Sequence, residues 1–182
     1  MINFLFISNL IEEKGILVLL DACYKLKEKQ LPFLCHLVGA ETKTLTAQVL
    51  QKIINSKQLQ DVTKYYGPIF GTDKESIYKA SDVMVFPTFY HNECFPLVIL
   101  EGMKHRLPII STHEGAIPDM ILNKKNGVLI ERQNATALAT AMEQFIQHPH
   151  LVQEMGNFAF QHYNDNFTEN IFINNIIDIL SK

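Results

Sequence analysis

Short apolar runs alternate with longer amphipathic ones along the chain. Ile2–Ile7 reads as a strand. Gly15–Gln30 then places Ile16, Leu19, Leu20, Cys23 and Leu26 at helical spacing, and Pro32 closes that segment. Phe33–Val38 reads as the next strand, ending at Gly39. Leu45–Ser56 reads as a helix with Leu45, Val49, Ile53 and Ile54 on one face. Val62–Tyr66 is a third strand, stopped by Gly67-Pro68. The pattern continues with a short helix at Lys74–Ala80, a strand at Val83–Phe86, a helix at Pro96–His105 and a strand at Pro108–Ser111. A helical turn at Pro118–Leu122 and a strand at Gly127–Ile130 follow, and the helices Ala135–Gln147, Leu151–Asn164 and Glu169–Leu180 close the chain. Strands alternating with helices predict an α/β fold: a parallel sheet covered on both faces, its strands apolar throughout because both sides are buried.

Composition narrows the class. At 182 residues the chain is the size of about one domain, given roughly 100–200 residues per domain. Its hydrophobic content, 47%, is too high for a disordered protein. A net charge of −3 and a pI near 6.1 argue against a nucleic-acid partner, which would need a basic face. No apolar stretch is long enough to span a membrane. The apolar start, Met1-Ile2-Asn3-Phe4-Leu5-Phe6-Ile7, has no basic region before it and no small-residue cleavage site after it, so it reads as a strand rather than a signal peptide. Cys23, Cys35 and Cys94 lack C-x-x-C spacing and are expected to be buried free thiols in a reducing compartment. The histidines are scattered, and no metal site is expected.

In a parallel sheet of this kind, ligands bind beyond the carboxyl ends of the strands, where strand order reverses. The loops to inspect are therefore Ser8–Gly15, Gly39–Thr42, Gly67–Thr72, Pro87–Pro96 and Thr112–Asp119. The richest chemistry lies in Asn92-Glu93-Cys94-Phe95-Pro96-Leu97-Val98-Ile99-Leu100-Glu101. Pro96 suits the first turn of a helix, where its missing N–H is harmless. The four apolar residues after it predict a helix buried all round, with Glu101 about one turn inside. A carboxylate at such depth needs a partner. Glu93 precedes the helix, beside unsatisfied N–H groups that form an anion site. The segment thus offers two carboxylates for sugar hydroxyls and backbone donors for a phosphate. Equally, Glu93 or Asn92 could cap the helix and Glu101 serve as an ion-pair partner; spacing alone leaves both open.

At this segment the sequence resembles the retaining glycosyltransferases of family 4, which have the GT-B fold. Their donor-binding domain carries a glutamate, seven intervening residues and a second glutamate, here Glu93 and Glu101. Further matches follow in order: Phe6–Gly15 with its Glu13-Lys14-Gly15 ending, Leu37-Val38-Gly39, Tyr66-Gly67, Ser81-Asp82-Val83 through Pro87-Thr88, Glu114-Gly115-Ala116-Ile117-Pro118-Asp119, and Asn126-Gly127-Val128-Leu129-Ile130. The resemblance covers roughly residues 2–147 and implies a Rossmann-like three-layer sandwich with a mostly parallel six-stranded sheet, the C-terminal half of a GT-B fold.

The resemblance also implies roles. Glu93 would hold donor-sugar hydroxyls near the reacting carbon, and Glu101 would accept from the ribose. Backbone groups at Phe95, Pro96 and Leu97 would face the diphosphate, although Pro96 has no N–H to give. Lys14 would neutralise the departing diphosphate. Asn9, Gly39 and the loop Tyr66, Gly67 and Ile69 would complete the donor site, the loop touching the nucleobase. The implied reaction is transfer of a sugar from a nucleotide-diphosphate-sugar with retention of configuration, without metal or cofactor.

Two departures stand out. Ser8-Asn9 occupies the place of the family's Gly-Arg, so one diphosphate cation is missing. Gly115-Ala116 replaces a Gly-Gly pair. The family also has two domains, and residue 2 already matches the start of the second. Residues 1–182 are therefore expected to be one donor-binding domain with closing helices at 151–182. The N-terminal acceptor domain would lie outside the chain, and isolated transfer activity would be weak or absent. A cytoplasmic location is expected, with contact at the inner face of the membrane only through the missing half. Two other classes fit the same pattern of elements: a nucleotide-sugar epimerase of related architecture, and a non-catalytic nucleotide-binding module. The Glu93/Glu101 pattern favours transfer. Ser8-Asn9-Leu10 lacks a receiver's acidic cluster, and no G-x-G-x-x-G follows the first strand.

Overall fold

The computed structural model describes residues 1–181. Six strands are present: β1 Ile2–Ile7, β2 Phe33–Val38, β3 Thr63–Tyr65, β4 Val83–Phe86, β5 Ile109–Thr112 and β6 Gly127–Ile130. They form a single sheet in the order β3-β2-β1-β4-β5-β6, every neighbouring pair parallel. The chain winds outward from β1 to β3, then returns to the other side of β1 for β4. Strand order therefore reverses between β1 and β4. The β1–β2 ladder runs unbroken from Ile2 opposite Phe33 to Ile7 opposite Val38.

Helices cover both faces: α1 Ile16–Glu28, α2 Ala47–Ser56, α3 Gly71–Lys79, α4 Leu97–Lys104, α5 Ile117–Met120, α6 Ala135–Gln147, α7 His150–Asn166 and α8 Glu169–Leu180. Successive strand side chains point to opposite faces, and β1 supplies both layers. Phe4 and Phe6 join Leu19, Leu20, Cys23 and Phe145 on the α1/α6 side. Leu5 and Ile7 join Tyr78, Ile99, Met103 and Ile117 on the α3/α4 side. This is the Rossmann-like three-layer architecture expected.

Several expectations need correction. The helix after Pro96 is not buried all round. Ile99, Gly102 and Met103 are buried, whereas Leu97 is 66% exposed and Val98 and Leu100 are half-buried. Only one side of α4 meets the sheet. Pro96 is buried and flanks the helix in extended conformation instead of sitting in its first turn. In α2 the inward positions are Leu50 and Ile54, one i, i+4 face, with Val49 turned out; the helix starts after Thr46, whose hydroxyl accepts from the Val49 N–H. α3 begins at Gly71, earlier than Lys74. Cys23 and Cys35 are buried, but Cys94 lies exposed in the loop before α4. The neighbouring Cys35 thiol foremost, and then burial, push the Cys23 thiol well above its ordinary range. The last helix, α8, has no buried residue; Phe172, Ile177 and Ile179 are among its exposed apolar side chains.

Candidate functional site

The loops after β1 and β4 meet at the switch point, and a glycine makes that meeting possible. Gly15 has φ +87°, and a Cβ there would lie 2.1 Å from the Pro87 carbonyl oxygen. The turn Glu12–Lys14 just before it is tied to the β4 loop: the Phe89 N–H donates to the Glu13 carbonyl (2.7 Å), and the Thr88 hydroxyl oxygen lies 3.3 Å from the same carbonyl. Lys14 is thereby aimed at Glu93. Its Nζ donates to Glu93 Oε2 at 2.7 Å, with side-chain exposures of 15% and 8%. The Thr88 hydroxyl donates to the same oxygen at 3.1 Å. The ammonium also stands 4.5 Å from the centre of the Tyr90 ring, a cation–π distance. The Glu93 backbone is packed from the other side by Gly115, where φ is +51° and a Cβ would fall 1.8 Å from the Glu93 carbonyl oxygen. The Ala116 N–H donates to the Cys94 carbonyl at 2.9 Å.

Glu101 is held by a second, more open cluster. Lys74 Nζ donates to its Oε1 at 2.7 Å, and the Tyr78 hydroxyl donates to its Oε2 at 2.8 Å. Lys74 and Tyr78 are four residues apart on α3, so both face α4. The Tyr78 ring stacks on His105 with centroids 4.6 Å apart. Burial foremost, then the Glu101 charge, pushes the Tyr78 phenol far above its ordinary range. His105 is hydrogen-bonded through both ring nitrogens, to the Glu101 carbonyl and the Glu75 carboxylate. That contact holds the Glu75 carboxyl below its usual range.

Between the loops after β1, β2 and β3 lies a cavity of about 360 Å3, lined by Asn9, Lys14, Gly39, Ile69, Phe70 and Lys74 among others. Four sequence-predicted residues thus share one wall system: Asn9, Lys14, Gly39 and Ile69. Glu93 reaches it through Lys14, and Glu101 through Lys74. Gly67 contributes from behind, its carbonyl accepting the Gly39 N–H at 3.0 Å. Tyr66 is engaged elsewhere, its hydroxyl 2.9 Å from His36 Nδ1. Phe95 and Leu97 line a different hollow, about 540 Å3, between α4, α7 and α8, and Glu101 lines it too. It is mainly apolar, and the lysine–carboxylate pairs point to the smaller cavity as the chemically equipped one.

The alternatives left open by spacing divide. Neither Glu93 nor Asn92 caps α4, which has no side-chain cap, whereas Glu101 is indeed an ion-pair partner. Four residues here carried no role in the sequence reading: Thr88, Tyr90, Lys74 and Tyr78. Lys74 and Tyr78 had a signal in their i, i+4 spacing beside a buried-looking glutamate. Thr88 and Tyr90 had none, because their partners come from distant loops. Among the described residues no three His, Cys, Asp or Glu side chains are placed to hold a metal ion, and no helix is long and apolar enough to cross a membrane.

A doubly wound α/β domain with a cation-lined cavity at the carboxyl ends of its central strands belongs to the ligand-binding class of such folds. Residues 2–162 match the model of the family described as glycosyl transferases group 1, and the chain belongs to that family. It is 28% identical over 145 residues to the putative colanic acid biosynthesis glycosyltransferase WcaL of Escherichia coli K12, covering 78% of this chain and 35% of that one. It is 29% identical over 166 residues to the D-rhamnosyltransferase WbpZ of Pseudomonas aeruginosa, covering 91% of this chain and 41% of that one. The chain therefore spans less than half the length of both. Among solved structures, a glycosyltransferase from Rickettsia africae superposes with a TM-score of 0.85 at 26% identity, over 98% of this chain and 47% of that one. Anabaena Alr3699/HepE, solved in complex with UDP, superposes with a TM-score of 0.86 at 22% identity over 99% of this chain and 48% of that one; it establishes the shared GT-B-type fold.

Proposed function

We propose that this chain is the donor-binding half of a retaining, family 4 glycosyltransferase, taking a nucleotide-diphosphate-sugar and passing its sugar to an acceptor. The observation that carries the reading is the Lys14–Glu93 pair at the sheet's switch point, beside a cavity of donor size. Both side-chain contacts to Glu93 fall on Oε2, so Oε1 is the oxygen offered to a sugar hydroxyl. Lys14 then stabilises negative charge as the diphosphate leaves, an electrostatic contribution that acts most strongly in a site screened from water. Glu101, held by Tyr78, accepts from the ribose. Protein cations carry the phosphate charge without a metal. Relatives such as WbpZ, named as a D-rhamnosyltransferase, support transfer as the reaction class.

The acceptor half is proposed to lie outside this sequence and to dock beside α8, whose apolar side chains are exposed. The site of action proposed is the cytoplasm, at the inner face of the membrane where the acceptor half would reach it. Calorimetric titration of the chain with UDP, GDP and ADP tests the reading. Saturable binding of one of them is expected. Absence of heat with all three overturns it.

A further inference from the structure

We propose that Lys74 is a second phosphate-binding cation of the donor cavity, handed from Glu101 to the diphosphate when a nucleotide-sugar enters. The proposal rests on the donor-site reading above and extends it to a residue outside the two-glutamate motif. Among the described residues, Lys14 and Lys74 are the two cationic side chains lining the cavity. They are not equally available. Lys14 is enclosed, and the buried Glu93 carboxylate already balances its charge. A diphosphate brings more than one negative charge, so a lysine neutralised in this way leaves the cavity short of positive potential.

Lys74 meets the shortfall on three counts. It lines the cavity, and its Nζ is held by Glu101 Oε1 at 2.7 Å. The pair is open to solvent, with side-chain exposures of 30% and 38%, and exposed pairs of this kind hold weakly. Lysine carries three donors on a flexible four-carbon stem, so its head can turn from one anion to another. Glu101 is not abandoned by the exchange. The Tyr78 hydroxyl stays on Oε2 at 2.8 Å, and Oε1 becomes free to accept from a hydroxyl of the entering ligand. The two events reinforce each other: phosphate draws the ammonium away, and the vacated carboxylate oxygen gains a new donor.

The same residue could simply tie α3 to α4, and the experiment separates the two roles. Binding of the diphosphate and of the matching nucleoside, for whichever base the chain accepts, is measured for the parent, Lys74→Met and Lys74→Arg. Calorimetry is used for the diphosphate and ligand-observed NMR for the nucleoside. Lys74→Met is expected to weaken diphosphate binding about tenfold, the scale of one charge-assisted hydrogen bond. It should leave nucleoside binding nearly unchanged. Its diphosphate affinity should also respond less to added salt. Lys74→Arg should recover most of the loss. Melting curves confirm that each variant is folded, with Lys74→Gln as the replacement if Lys74→Met is not. Equal weakening for diphosphate and nucleoside assigns Lys74 a packing role and overturns the proposal. Unchanged diphosphate binding in Lys74→Met overturns it as well, while leaving the donor-site reading intact. A parent chain that binds none of the diphosphates overturns that reading and this proposal together.

Discussion

Two lysine–carboxylate pairs of equal length flank the candidate cavity, and they differ in almost everything else. Lys14–Glu93 and Lys74–Glu101 both measure 2.7 Å. The first is almost closed to solvent and is overdetermined, with Thr88 on the same carboxylate oxygen and Tyr90 beneath the ammonium. The second is open, and its carboxylate is shared with Tyr78 through the other oxygen. Distance alone therefore says little about what a pair does. A buried pair whose members have lost water depends on each partner, because removing one strands the other charge. An exposed pair is replaced by water at little cost. The first pair is suited to hold a fixed geometry and the second to exchange partners.

The strongest way to break this comparison is to delete each ammonium in turn. Lys14→Met strands the Glu93 carboxylate and should lower stability by about 3 kcal/mol. That corresponds to a melting temperature roughly 6–12 °C lower in a chain of this size. Lys74→Met should lower stability by less than about 1 kcal/mol. Urea and thermal unfolding of the two variants side by side measure both. Equal losses would mean that burial does not separate the pairs. An intermediate effect is expected from Tyr78→Phe, which keeps the ring stacked on His105 and removes only the hydroxyl from Glu101. A lost hydrogen bond to a charged group predicts about 1.5 kcal/mol. Because Lys74 and Tyr78 hold one carboxylate, their double variant should depart from additivity. Strict additivity would show that the two contacts act separately.

The fold was legible because its signals are local. Five apolar runs at strand length and the mixed run Val62–Tyr66, punctuated by Gly67-Pro68, Pro87 and Pro108, predicted six parallel strands, and β3 carries an exposed Lys64 at the sheet edge. The site was legible only where its residues share a segment. Glu93 and Glu101 stand in one stretch of sequence, and the Lys14-Gly15 ending was visible, but the contact between Lys14 and Glu93 depends on Gly15 approaching Pro87 across the switch point. No local pattern encodes that approach. Thr88 and Tyr90 went unassigned for the same reason. The misjudged burial of Leu97 has another cause. A run of four apolar residues is compatible with a helix enclosed on all sides or with one that lies against the sheet along one face. Tertiary packing decides between them, and here it leaves Leu97 at the edge of the α4/α7/α8 hollow.

The smallest expected effect is proton-linked, and it belongs to His36. It lies half-buried on β2, with the Tyr66 hydroxyl at Nδ1 and the Asn3 side-chain oxygen 3.4 Å from Nε2. Burial foremost, and then Lys64, holds its pKa below the ordinary value of 6.5. The folded state therefore binds this proton less readily than the unfolded chain. Stability is fully present above pH 6.5 and is lost as pH falls below it, toward the lowered folded value. His162 is shifted in the same direction, also by burial, and contributes alike. The melting temperature should thus decline from pH 7.5 to 5.5, with a shallower decline in His36→Gln and a flatter one still in the double variant with His162→Gln. Stability that rises on acidification would reverse the sign argued for both histidines.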